Sequence, residues 1–267
     1  MRAEELLQQG DPDGALQALQ QAVRREPSNA KLRVFLFQLL CVLGEWERAL
    51  TQLDVAGELD SLNLPMAQTY REAIRCELFR RQVFSGDKSP LVFGDPPEWS
   101  AFLIEALHLS GKGEYAQSDQ LRSQAFDLAP GGSGMIDEQP FEWIADADTR
   151  LGPMLEAIVN GRYYWIPMQR LKQVDIDPPE DLRDMVWAPA HLTFENQGEA
   201  VALIPARYPA TESEIDSALK LSRKTVWQEP FAGHYIGLGQ RMFTTDVDEY
   251  PLLSTGQILF HTDSGAE

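Results

Sequence analysis

The densest group of side chains capable of chemistry is Asp146-Ala-Asp148-Thr-Arg150. Two carboxylates two residues apart suit a hard cation. They suit equally well a guanidinium held by charge-assisted hydrogen bonds. The cation reading lacks a neighbouring His or further clustered carboxylates and misses the spacing of a calcium loop. A structural Asp/Arg network of Asp146, Asp148, Arg150 and Arg241 is therefore expected, and no metal. A second cluster is Arg162-Tyr163-Tyr164-Trp165-Ile166-Pro167. In a strand, Tyr163 and Trp165 share one face, and Tyr164 and Ile166 the other. One face must be core, while the other is either buried too or an exposed aromatic anchor. The third cluster, Pro205-Ala-Arg207-Tyr208-Pro209, is an extended loop stiffened by its prolines. Its Arg207 is a candidate partner for the acidic motif, and Trp187, Trp227 and Arg241 are candidates for the same surface.

No nucleophile–histidine constellation accompanies these clusters. His108, His191, His234 and His261 share no motif, and His108 reads as a helix-surface residue. HExxH, GxSxG, Walker A and GxGxxG patterns are absent from the sequence, so neither a catalytic residue nor a cofactor is indicated. An enzyme reading survives in one form, with Asp146, Asp148, Arg150, Arg207 and Arg241 lining a polar pocket at a domain junction.

The elements that must position these clusters fall into two textures. Gly10, Ala15, Leu16, Leu19 and Ala22 recur 34 residues later as Gly44, Ala49, Leu50, Leu53 and Ala56. That interval is the tetratricopeptide period, in which small residues let paired helices approach and leucines fill the seam. Pro27 closes the first unit, and Ser61 stands at the equivalent place in the second. A third, degenerate unit starts at Gly111-Lys-Gly-Glu-Tyr115-Ala116, aligned with Gly44 through Ala49, and ends at Ala125 and Pro130. Apolar spacing predicts further helices over Pro65–Phe84 and Trp99–Leu109. Pro130-Gly-Gly-Ser-Gly134 breaks the pattern and marks a boundary between domains 1–130 and 135–267. Beyond it, Leu155–Val159 and Tyr163–Ile166 flank the turn dipeptide Asn160-Gly161. Met185–Phe194 with Ala200–Ile204 reads as another hairpin, Arg241–Thr245 and Gln257–His261 as short strands, and Glu212–Leu221 as a helix. The expected fold is α+β: tetratricopeptide-like helical repeats, then a small SH3-like β-barrel or bent sheet.

The 267 residues carry a net charge of −18. Residues 1–130 hold 13 Lys/Arg against 19 Asp/Glu, a net of −6, and the remainder 10 against 22, a net of −12. Such a chain repels phosphate backbones and anionic lipid, which argues against nucleic-acid binding, and matches a basic or amphipathic protein segment. Cys41 and Cys76 form no CxxC or Cys/His cluster, so no zinc site or disulfide framework is indicated and a reducing compartment fits. The longest apolar runs, Val34–Phe37 and Leu39–Leu43, are far too short for membrane insertion, and the N-terminus lacks a signal-peptide apolar region.

The motifs Ala145-Asp-Ala-Asp148, Arg150-Leu-Gly-Pro153, Leu155-Glu156, Gly161-Arg-Tyr-Tyr-Trp165 with Pro167, Pro205-Ala-Arg-Tyr-Pro209 and Gly239-Gln-Arg241 come in an order that resembles the ImpE family. The resemblance spans almost the whole chain, with one departure at Ala210, where glycine is expected. It implies a cytoplasmic, non-enzymatic bacterial adaptor of type VI secretion. The implied partners are the N-terminal helix region of the small contractile-sheath subunit (TssB/VipA type) and the ClpV-type AAA+ ATPase that disassembles and recycles sheath. The family supplies no catalytic residue to transfer. Independently of it, a helical-repeat groove suits a partner's helix or extended segment. The candidate contact residues are Phe35, Gln38 and Trp46 in the repeats, and Tyr163, Trp165, Arg207 and Tyr208 beyond them. A scaffold for an unrelated complex is the remaining alternative.

Overall fold

The computed structural model describes residues 2–261. Helices come first: α1 (Ala3–Gln8), α2 (Pro12–Arg25), α3 (Ala30–Val42), α4 (Trp46–Leu59) and α5 (Leu64–Phe84), then strand β1 (Leu91–Val92), then α6 (Glu98–Gly111) and α7 (Tyr115–Leu128). The pairs α1/α2, α3/α4 and α6/α7 are antiparallel hairpins built on one turn design. Gly10, Gly44 and Gly113 all have positive φ, at +79°, +73° and +78°. In each turn the glycine N–H bonds back three residues, to Leu7, Cys41 or Ser110 O, and the next N–H bonds back to Leu6, Leu40 or Leu109 O. This is the Schellman arrangement, which needs a left-handed residue after the helix cap.

The third unit therefore starts on Gly113, two residues later than an alignment on Gly111 places it. Ser118, Ala125 and Pro130 then stand at the same offsets as Ala15, Ala22 and Pro27. Gly111 is glycine for another reason. It is the last residue of α6, and a Cβ there would lie 2.3 Å from Ser85 O at the end of α5. In the corrected register, Ser118 and Arg122 occupy the places of the core residues Ala15/Ala49 and Leu19/Leu53. Both are as buried as their apolar counterparts. The third hairpin thus carries two polar side chains in a seam that keeps Leu103, Ala106, Leu107 and Ala125.

Strands dominate the rest: β2 (Gly134–Ile136), β3 (Gln139–Phe141), β4 (Ile144–Asp146), β5 (Met154–Val159), β6 (Arg162–Pro167), β7 (Leu171–Ile176), β8 (Trp187–Phe194) and β9 (Glu199–Pro205). After the one-turn helix α8 (Ser217–Lys220) follow β10 (Thr225–Phe231), β11 (His234–Gly239), β12 (Met242–Thr245), β13 (Glu249–Pro251) and β14 (Gln257–Phe260). The main sheet has the order β1-β6-β5-β9-β8-β7-β14-β2-β3. It does not close into a barrel, because the order ends on β1 and β3. It bends instead around a common apolar core of Leu155, Ala157, Ile166, Val174, Ala190 and Ile258 among others. Asn160 and Gly161 (φ +50° and +71°) make the tight turn joining β5 to β6. The expected helix over Glu212–Leu221 is two fragments: a 3-10 turn at Thr211–Ser213 and α8. Extended Glu214 separates them, and the Asp216 carboxylate starts α8 by accepting from Ala218 N–H.

β5 is buried on both faces, and its alternation decides how the halves meet. Leu155, Ala157 and Val159 face the sheet's own core. Met154 and Ile158 face the other way and join a second core with Phe37, Leu53, Ile74, Trp165 and Trp187. That second core belongs to helices and sheet together.

Ala210 adopts φ +69° at an exposed position, which explains why glycine is expected there. Ala210→Gly should raise unfolding free energy in urea by about 0.5 kcal/mol, the relief of left-handed strain exceeding the added chain entropy. Gly44→Ala should lower it by about 1–2 kcal/mol, because φ is also positive there and the new Cβ would meet Glu212 Cγ at 2.5 Å.

Candidate functional site

Glu156, at the middle of β5 on the helix-facing side, is fully buried. Arg80 of α5 approaches from the repeats, donating Nε to Glu156 Oε1 at 2.6 Å and Nη2 to Oε2 at 2.8 Å. Arg241, just before β12, approaches from the sheet and donates Nη2 to Oε2 and Nη1 to Asp146 Oδ2. Tyr163 OH donates to Glu156 Oε1 and accepts from Trp165 Nε1 at 2.7 Å. Asp146 Oδ1 accepts from Asp148 N–H at 2.9 Å and from Tyr208 OH at 3.0 Å. Asp148 in turn grips Arg150 through both oxygens and accepts from Gly237 N–H.

Burial pulls the Glu156 carboxyl up, but Arg80 and Arg241 outweigh it and hold it at about 2. Burial pushes Asp146 the other way, to about 6. Arg241, which it shares with Glu156, opposes the shift only in part, and Asp148 adds repulsion. Four buried side-chain nitrogen or oxygen atoms lack a partner among the described residues, and none belongs to this network. Nor do the described residues include a group of three or more His, Cys, Asp or Glu placed to hold a metal ion. The expected Asp/Arg set is thus brought together, completed by Glu156 and Arg80. Both were legible as charges in apolar company: Glu156 within Met154–Val159, and Arg80 on the buried side of Pro65–Phe84.

Arg207 is not in that network. It donates Nη1 to Val42 O at 2.7 Å and Nη2 to Cys41 O at 3.3 Å, closing the C-terminus of α3, where carbonyls and helix dipole favour a cation. Arg223 does the same one repeat earlier, donating to Leu7 O and Gln8 O of α1. Those carbonyls stand 34 residues before the ones Arg207 holds. In the third unit the equivalent contact is polar in another way. His234 of β11 meets Ser110 Oγ at 3.2 Å and Arg122, with burial first and Arg122 second lowering its pKa to about 4. A neutral ring at Nδ1 accepts from Arg122.

The residues expected to contact a partner are mostly consumed by these junctions. Gln38, Trp46, Tyr163, Trp165, Arg207 and Tyr208 are all buried, and only Phe35 keeps partial exposure. Trp46 packs on Trp187 at a ring distance of 5.9 Å, and Trp165 on Phe84 at 6.0 Å. Five of the six fill the seam between repeats and sheet, whereas Tyr208 is buried within the C-terminal half, against Asp146, Trp227 and Gly237.

Among the described residues a groove of about 360 Å³ lies between α5 and the β5–β6 turn and includes Phe79, Leu91 and Tyr163, and two larger ones lie elsewhere. One, of about 550 Å³, lies along α1–α3 and includes Arg2, Glu4, Arg25, Leu32 and Phe35. The other, of about 640 Å³, lies where the end of α7, β4, the β10–β11 hairpin and β12 converge. Four aromatics line it: Phe126, Trp143, Trp227 and Tyr235, each between 36% and 43% exposed. Ala145, Asp146, Ala147, Thr149 and Gly152 form its wall, so the acidic motif frames this groove from behind. Of its aromatics, Trp227 alone stands out in the sequence; the rest are isolated there and converge through the packing of α7 and the pairing of the strands.

The ImpE protein family profile matches residues 138–259, and a tetratricopeptide-repeat profile matches residues 6–72. A Pseudomonas aeruginosa protein named type VI secretion system accessory component TagJ is 53% identical over 260 residues, covering 97% of this chain and 91% of its own. A crystal structure of a Vibrio parahaemolyticus protein superposes with a TM-score of 0.89 at 25% identity over 98% of both chains.

Two consequences of the buried network are measurable. Arg80→Ala should cost about 3–5 kcal/mol in urea unfolding by leaving Glu156 short of a partner inside the core. Asp146 has a folded pKa near 6, above its ordinary value of 3.8, so its contribution to stability is lost as pH rises between them. The unfolding free energy of the native chain should therefore fall, relative to Asp146→Asn, by up to about 3 kcal/mol from pH 4 to pH 6. A pH-independent difference would contradict this.

Proposed function

The chain belongs to the ImpE family, and from that premise we propose that it is a non-catalytic accessory protein of a bacterial type VI secretion system. In this reading it works in the cytoplasm and holds the N-terminal helix region of the small contractile-sheath subunit (TssB/VipA type). There it modulates sheath disassembly and recycling by the ClpV-type ATPase. The observation that carries the proposal is the 53% identity over nearly the full length of a protein named as an accessory component of that system. Three physical features support it. The net charge of −18 favours a partner segment bearing Lys or Arg. The two larger grooves are of a size that accepts side chains of a bound segment. No helix among the described residues is long and apolar enough to cross a membrane.

The enzyme alternative rested on a polar Asp/Arg pocket. Its carboxylates, Asp146 and Asp148, are sealed from solvent and engaged on both oxygens. Arg207 and Arg241 are likewise spent on backbone carbonyls and carboxylates. A general acid or base needs a heteroatom within reach of substrate, and none in this set is free. In this reading Pro130–Gly134 divides a mainly helical unit, which also lends β1 to the sheet, from a mainly β unit, the two joined through a shared core.

Isothermal titration calorimetry of the full chain with a peptide spanning the sheath subunit's N-terminal helix tests the proposal. Binding in the low micromolar range is expected, weakening as salt rises. No heat at tens of micromolar peptide, in order of magnitude, would contradict it.

A further inference from the structure

The aromatic groove beside the acidic motif differs from the repeat groove in chemistry. It has four aromatic side chains, and the only charged groups among its lining residues are the carboxylates Asp146 and Glu249. The repeat groove has one aromatic, Phe35, and sets Arg2 and Arg25 against Glu4. The acidity continues outward. Glu142, Asp246, Asp248 and Glu249 are exposed on two adjacent turns, which are tied together by Glu142 N–H donating to Asp246 Oδ1 at 2.8 Å. Opposite, the β10–β11 hairpin is pinned by Thr149. Tyr235 N–H donates to Thr149 Oγ1 at 3.0 Å, and Thr149 N–H and Oγ1 donate to Tyr235 O at 3.0 and 3.1 Å. Trp227 leans on the buried Tyr208 ring at 5.5 Å. The aromatic rim is thus held in place before any partner arrives, which lowers the ordering cost of binding.

We infer that this groove, and not the groove of the repeats, is the docking surface for the apolar face of a cationic amphipathic segment. This rests on the adaptor reading above. Large aromatics half-exposed around an apolar floor are the composition of an interface core. Asp146 is sealed and paired with Arg241, so the exposed charge is that of Glu249 at the groove and of Glu142, Asp246 and Asp248 on the turns beside it, which favours Lys or Arg beside the apolar anchors. A small polar substrate would find little to orient it, since the Asp146 oxygens in the wall are already occupied by Arg241, Tyr208 and the Asp148 N–H. The segment's apolar residues would lie between Trp143 and Tyr235, with its basic residues toward Glu249.

The test is calorimetric titration of the sheath-subunit N-terminal peptide into four full-length proteins: wild type, Trp143→Ala, Glu249→Lys and Phe35→Ala. Thermal unfolding would verify that each is folded. Both exposed-site changes spare the buried network. Trp143→Ala is expected to weaken binding at least tenfold. Glu249→Lys should weaken it severalfold, with a shallower salt dependence, and Phe35→Ala should leave it within twofold of wild type. Loss of affinity in Phe35→Ala with Trp143→Ala and Glu249→Lys unchanged would place the peptide in the repeat groove and overturn the inference. Equal affinity in all four proteins would overturn it as well and leave the groove to another occupant. Silence of the wild type would defeat the adaptor reading itself, and this inference with it.

Discussion

Glu156 is the charge on which this architecture turns. A carboxylate in the middle of a strand buried on both faces is tolerated only if it is fully paired and hydrogen-bonded. Its partners come from opposite directions: Arg80 from the longest helix of the repeat half, and Arg241 from the start of β12. Satisfying one carboxylate therefore fixes α5 against β5 and β12 against both. Arg80 extends the same tie by donating Nη2 to Arg207 O, at the strand end from which Arg207 reaches the α3 carbonyls. Removing any one member strands the others in a medium of low polarisability, so the network is costly to break even if an apolar packing of equal volume would be no less stable.

Around that point the two halves lose their independence. Trp165 and Trp187 of the sheet share a core with Phe37, Leu53 and Ile74 of the helices. Each hairpin also meets the C-terminal half at the end of its first helix: α1 at Arg223, α3 at Arg207, and α6 at His234. A helix terminus leaves carbonyls without partners, and the sheet half supplies cations for two of the three. In the third, Ser118 and Arg122 replace the small and leucine positions of the seam, giving His234 a polar site. This use of the repeats differs from an open solenoid, in which one face of the stack is free. Here much of that face is sealed by the chain itself, and the aromatic opening lies at the junction instead.

The sequence showed the pieces better than their assembly. The 34-residue spacing, the helices near Pro65–Phe84 and Trp99–Leu109, and the Asn160-Gly161 hairpin rest on local rules of periodicity and turn chemistry, and each forms where those rules put it. A network of Asp146, Asp148, Arg150 and Arg241 is also suggested by the sequence, because buried acids need cations, but Arg207, the partner it offers for the acidic motif, closes α3 instead. Sequence distance hid the rest. Gly113 and Gly111 are both plausible turn residues until φ and the contact with Ser85 separate them. Strands β2, β3, β4 and β13 are three residues long, too short for period two to register. Tyr163, Trp165 and Tyr208 looked like anchors because aromatic clusters serve both cores and interfaces, and burial alone distinguishes the two. Phe126, Trp143 and Tyr235 stand alone in sequence and converge only when α7 packs against the paired strands.

Helices and sheet form one cooperative body welded at Glu156, with the aromatic groove open beside the junction. Hydrogen exchange followed by mass spectrometry through a urea series tests this cooperativity directly, since sub-global opening exposes separable units. Amides of α3–α5 and of β5, β6, β8 and β9 should lose protection together, at one urea concentration. Loss of protection in the helices at clearly lower urea, with the sheet still protected, would show two independent units and contradict the weld.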